Sequence, residues 1–135
     1  VTGRKRHLLA DTLGLLLVAS IQPASEQDRC GAVPVLREAT RRHPQLQRVW
    51  ADGGYSGPLA AAAAPAGCTL LIVAKQPGQK SFAVLPRRWV VERTVAWLSH
   101  YRRLGTRDWE ATPQSSRARV FVAMIHLMCR RLHPA

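Results

Sequence analysis

RVWADGGYSG, residues 48–57, runs apolar and β-prone as far as one aspartate and then breaks into glycines. The pattern predicts a strand over residues 46–51 whose end presents Asp52, because Gly53-Gly54 lets the backbone turn away and leaves the carboxylate exposed. Two readings stay open for that acid: a turn residue that satisfies local backbone donors, or a ligand for a cation. Downstream, Gly57-Pro58 opens an alanine-rich helix closed by Pro65 and Gly67, and TLLIVA, residues 69–74, reads as a buried strand. Upstream, residues 26–43 are helical in pattern, with Ala32, Val35, Leu36 and Ala39 on one side; Pro34 is tolerable only near the first turn. The opening VTGRKRHLLADTLGLLLVAS places two apolar runs either side of Asp11-Thr-Leu-Gly14, the mark of two antiparallel strands joined by a short turn. Strand and helix alternate, so the expected class is α/β.

The chain has 135 residues, 47% of them hydrophobic, which is one domain's worth with enough apolar content for a core. Twenty Lys plus Arg against eight Asp plus Glu give a formal charge of +12, spread over several segments rather than one tail. Such a field favours a polyanion, nucleic acid ahead of membrane. The longest apolar stretch, residues 13–21, is too short to span a bilayer and no leader-like segment precedes it, so the expected location is cytoplasmic with no membrane partner. Cys30, Cys68 and Cys129 are an odd, widely spaced set with no Cys-x-x-Cys pair, and read as buried reduced thiols. The tryptophans read as core or half-buried packing, and the five histidines, His7 among them, as solvated or capping.

Residues 75–88, KQPGQKSFAVLPRR, read as an exposed loop, and two helices finish the chain. The first covers about residues 88–104, with Trp89, Val91, Val95 and Leu98 forming much of its apolar stripe and Glu92 bordering it. Glu92 is open to two readings, an ordinary i, i+4 ion pair with Arg88 or a functional acid that needs Asp52 beside it. The second helix has Thr112 as N-cap and Pro113 at its first position, with Ala118, Phe121, Val122, Ile125, Met128 and Leu132 as the expected buried face.

Taken in order, GRKRHLL, DTLGLLL, VWADGGYSG, LPRRWVVERTVAWLSHYRRL and MIHLMCRRL resemble the catalytic domain of DDE transposases from bacterial insertion sequences, in the branch whose signature helix reads WVVERT. The likeness runs over nearly the whole chain. It implies an RNase H-like mixed sheet with flanking helices, DNA transposition as the function, and two aspartates and a glutamate that hold two divalent metal ions, Mg2+ or Mn2+. Asp52 matches the second aspartate and Glu92 the glutamate. Arg88 stands where the arginine of the Tyr-Arg-Glu-Lys signature falls and is a phosphate candidate, together with Arg93, Arg102 and Arg103 on the same predicted helix. The implied partners are insertion-sequence ends and target DNA.

Three positions depart from the family pattern. Leu85 replaces the tyrosine and Ser99 the lysine of that signature, so those roles are not carried over. The first aspartate belongs on a strand ahead of the GRKRHLL segment, and Val1 stands directly ahead of it; the expectation is a sheet lacking its first strand, from a truncated chain or one half of a split gene. A missing N-terminal segment or another transposase subunit then becomes a partner. Asp11 is the nearest acid, but it sits in a hairpin turn and is a poor substitute ligand. The competing reading is a non-catalytic, basic nucleic-acid-binding protein derived from a transposase.

Overall fold

The computed structural model describes residues 3–64, 67–74, 77–78, 87–105 and 107–133. The expected α/β class is observed. A hairpin opens the chain, β1 (Arg4–Ala10) and β2 (Leu16–Pro23), paired antiparallel from Arg4 opposite Pro23 to Ala10 opposite Leu16. Asp11 holds the turn: its Oδ1 accepts from the backbone N–H groups of Leu13 and Leu15. That use commits the Asp11 side chain to the turn.

Helix α1 (Asp28–Arg42) follows, then β3 (Arg48–Asp52), a single 3-10 turn over Gly53–Tyr55, α2 (Pro58–Ala63) and β4 (Thr69–Val73). Strands β3 and β4 pair in parallel. Two long helices close the order, α3 (Arg88–Ser99) and α4 (Pro113–Leu132). Where one mixed sheet was expected, the described strands form two separate two-stranded ladders, β1 with β2 and β3 with β4. Most of the 75–88 segment read as a loop lies outside the described residues, as does Leu85.

The hairpin is the middle layer. Successive strand residues point to opposite faces, and on β2 Val18 packs with Val35 and Ala39 of α1, while Ala19 packs with Leu98 of α3 and Val120, Ala123 and Met124 of α4. A second cluster, Ala32, Leu36, Val49 and Ala60, joins α1 to β3 and α2. Helix α3 grips the hairpin turn: the buried Thr94 hydroxyl donates to the Gly14 carbonyl at 2.7 Å and Arg93 Nη2 donates to the Leu13 carbonyl at 2.7 Å. Gly14 has φ +84°, and a Cβ there would meet Thr94 Oγ1 and the Trp97 ring at 3.0 Å, so glycine is required twice over.

Several expectations are corrected. Helix α3 buries Val90, Thr94 and Leu98, leaving Trp89, Val91 and Val95 substantially exposed. Helix α4 has the expected Thr112 cap, whose Oγ1 accepts from the Ser115 N–H, but it buries Ser116, Val120, Ala123 and Met124, while Val122, Ile125, Met128 and Leu132 face outward. Its small residues allow the close approach to β2, and apolar side chains all round the helix hid which face would be used. Strand β4 is largely exposed rather than buried. Pro34 lies in the interior of α1, beyond its first turn. Cys30 and Cys68 are half-buried and Cys129 is exposed. Trp50 and Trp97 are half-buried as expected, but Trp89 and Trp109 are exposed. Among the described residues no helix is long and apolar enough to cross a membrane.

Candidate functional site

Asp52 is the last residue of β3, and its backbone leads straight into the Gly53–Tyr55 turn. Its Oδ1 accepts from the Gly54 N–H at 2.9 Å, the local turn contact expected of an Asp-Gly-Gly sequence. Among the described residues Oδ2 makes no hydrogen bond, so half of the carboxylate remains for another ligand. Glu92 lies on the second turn of α3, where Oε1 accepts from Arg88 Nε at 2.9 Å with the Glu92 side chain 63% exposed. Both local pairings anticipated for these acids are therefore present. The exposed ion pair contributes about 0.3 kcal/mol, too little to fix Glu92 in that use.

The fold nevertheless brings the two acids to one place. A cavity of about 240 Å3 is lined by both Asp52 and Glu92, by Tyr55, and by the guanidinium-bearing Arg6, Arg87 and Arg88. Arg87 stacks on the Trp50 ring, 4.1 Å from its centre, which holds a cation beside the end of β3. Arg88 follows at the start of α3.

A third carboxylate, which the sequence did not single out, stands near Asp52. Asp28 opens α1, and its Oδ1 takes an ion pair from Lys5 Nζ at 2.9 Å. A Cβ on Gly54 would lie 2.9 Å from Asp28 Oδ2 and 3.1 Å from Asp52 Oδ1, so the two acids stand on either side of one missing methyl group. Their charges reach Tyr55. Burial first, then the Asp28 and Asp52 carboxylates, push its phenol up to about 12. The phenol meets His7 Nδ1 at 2.7 Å. His7 was expected in solvent, but it is only 2% exposed, and burial is the main cause that holds its pKa below the usual value. Its ring fills the space where Gly31 has no side chain; a Cβ there would overlap it. The clues in the sequence were thin: an acid opening a helix in a chain with eight acids, and a tyrosine three residues after Asp52.

The phosphate candidates divide. Arg93 is held inside the fold, stacked between Trp89 and Trp97 at 4.5 and 4.7 Å from their ring centres and bonded to Leu13. Arg103 pairs with Glu110 at 2.9 Å. Arg102 is exposed, and among the described residues it has no ion-pair or hydrogen-bond partner. Among the described residues, too, no group of three or more His, Cys, Asp or Glu side chains is placed to hold a metal ion. Asp52 and Glu92 fit a hard divalent cation in kind, as oxygen donors, but not in number.

Residues 1–128 match the family model described as the transposase DDE domain. The chain belongs to that family of DDE transposases. It is similar to a Burkholderia cepacia protein provisionally named as the transposase for insertion sequence element IS402, with 36% identity over 114 residues that take in 78% of this chain. The match covers 53% of that relative, so the chain spans about half its length. No solved structure matches the chain.

Proposed function

We propose that the chain serves DNA transposition as the part of a DDE transposase that supplies two of its metal-binding carboxylates, Asp52 and Glu92, on an RNase H-like framework. The observation that carries this reading is their meeting at one cavity from separate elements, the end of β3 and the second turn of α3, with Arg87 and Arg88 beside them. Divalent magnesium or manganese, when bound, supplies activation of a water or 3′-hydroxyl and stabilisation of the departing oxygen. The chain's own residues do the positioning. Asp52 offers the oxygen its turn leaves free, and Glu92 offers its second oxygen while Oε1 stays with Arg88. Arg87 and Arg88 set positive charge at the rim, where a DNA phosphate would lie. A further donor has to come from outside this pair.

Calorimetric titration with Mn2+ tests the assignment. Weak binding is expected, lost in both Asp52→Asn and Glu92→Gln; binding unchanged in both variants would remove these acids from the site. Because the pair is short of ligands, residues 1–135 alone should show little strand transfer. Robust magnesium-dependent joining of DNA ends by this chain, abolished by Asp52→Ala, would contradict that.

One observation favours a second reading, a non-catalytic DNA-binding protein: among the described residues the carboxylates do not gather into a group of three. On that reading the two substitutions leave DNA affinity untouched and metal has no effect on it.

A further inference from the structure

Arg87 differs from the other described arginines in its backbone. It has φ 63° and ψ −6°, and among the described residues it alone carries a side chain in the left-handed region. A Cβ makes that region costly, so a residue stays there only where its surroundings hold it. The side chain ends on β3. Its guanidinium carbon lies 4.1 Å from the centre of the Trp50 ring, the closest arginine–ring approach among the described residues. A helical φ and ψ at position 87 would extend α3 by one residue and send the side chain in another direction.

Arg93 shows what a stacked arginine does when its task is internal. It lies within α3, sits between two tryptophan rings and donates Nη2 to the Leu13 carbonyl. Arg87 has the stack without the bond. Among the described residues its guanidinium makes no hydrogen bond and no ion pair, although it lines a cavity with two carboxylates. A guanidinium resting on a ring keeps its N–H donors, which lie in its own plane, and loses less freedom when it uses them. Strain and stacking together therefore fix a fork that nothing in the described fold employs.

The position of the fork says what it fits. Side chains alternate in face along a strand, so Trp50 and Asp52 share one face of β3, with Cα atoms about 7 Å apart. The guanidinium on Trp50 thus stands near Asp52 without pairing to it, and Glu92 pairs with Arg88 instead. Protein carboxylates were at hand and were not taken. The partner left is an anion from outside the chain with two oxygens side by side. A phosphodiester presents two such oxygens, and arginine meets them through paired N–H donors.

We infer that Arg87 is a phosphate fork: propped on Trp50, it takes the two non-bridging oxygens of one DNA phosphodiester at the mouth of the cavity that holds Asp52 and Glu92. Trp50 is its positioning residue. The fork rests on the transposition reading above and adds to it a directional contact, where Arg88 brings charge to the same rim with its Nε held by Glu92.

The test is DNA binding by the full 135-residue chain in EDTA, read as fluorescence anisotropy of a labelled duplex over a salt series. Arg87→Lys keeps the charge and loses the planar fork, so affinity should fall about tenfold while the slope of log affinity against log salt stays the same. Trp50→Leu should weaken binding to a similar degree, and the double substitution should be little worse than either alone, because both remove one unit. Arg87→Gly suits the left-handed backbone, so its urea midpoint should be equal or higher while its DNA affinity falls. A lysine variant that binds as tightly as the parent chain would reduce Arg87 to a point charge and overturn the proposal. So would a lowered urea midpoint for Arg87→Gly, which would make the stack a latch between β3 and α3, and so would absence of DNA binding by the parent chain at low salt. Arg87 is exposed, so the decision does not hang on whether Trp50→Leu folds. No metal is present, so failure of the fork and failure of the Mn2+ titration are read separately.

Discussion

Tyr55 reports on the acids around it. Burial and the Asp28 and Asp52 carboxylates penalise its phenolate and push its pKa up to about 12. A folded-state value above the unfolded one, near 10, contributes stability that is fully present below pH 10 and is lost as pH rises through 12. The chain has two tyrosines. Absorbance titration near 295 nm should therefore show a phenol ionising at about 12, and Asp52→Asn should lower that midpoint. A midpoint indifferent to Asp52 would mean that the carboxylate turns away from the ring. At this scale the placement of Asp52 at a strand end and of Glu92 on a helix was legible because each stands in a local setting that marks it, one where a strand breaks into glycines and the other in a motif-bearing helix. Asp28 and His7 were not. The pairing of Asp28 with Lys5, its approach to Asp52, and the burial of His7 against Gly31 are all long-range in sequence, and a lone histidine in the run RKRH carries no local mark of burial.

Between elements, the grip of α3 on the hairpin turn is the contact most exposed to single changes. The Thr94 hydroxyl is fully buried against the Gly14 carbonyl, and Thr94→Val would leave that acceptor without it, at a cost of about 2 kcal/mol. Gly14→Ala would combine a left-handed backbone with a 3.0 Å contact on Trp97, and should cost at least as much. Chemical denaturation of the two variants checks both values; loss of less than about 0.5 kcal/mol in each would show that the turn is not anchored by α3. The existence and order of the elements were readable from periodicity, since β1, β2, α1, β3, α2, β4, α3 and α4 occur in the order the pattern gave, although α3, expected as far as residue 104, ends at Ser99. Their buried faces were less so. Helices α3 and α4 carry apolar residues around much of their circumference, and the choice of Thr94 and Ser116 for the interior depends on how closely the hairpin approaches, which no local window contains.

For the molecule as a whole, the DNA affinity proposed above would rest on an excess of twelve positive charges rather than on any one carboxylate. The fold has already sorted which arginines remain available. Arg93 is spent on Trp89, Trp97 and the Leu13 carbonyl, and Arg103 on Glu110, whereas Arg102 is exposed and, among the described residues, Arg88 is tied only by a weak surface pair with Glu92. Neutralising phosphates releases counterions, so log affinity for duplex DNA should fall linearly with log salt at a slope near −0.9 per phosphate contacted. Arg102→Ala and Arg88→Ala should each make that slope shallower by about one unit. Arg93→Ala should instead leave the slope alone and lower the thermal midpoint, because it removes an internal clamp rather than a phosphate contact. Fluorescence anisotropy over a salt series separates these outcomes. If the slope responds to Arg93 but not to Arg102, the internal stacking must open on DNA, and the basic face of the free chain is not the face that binds.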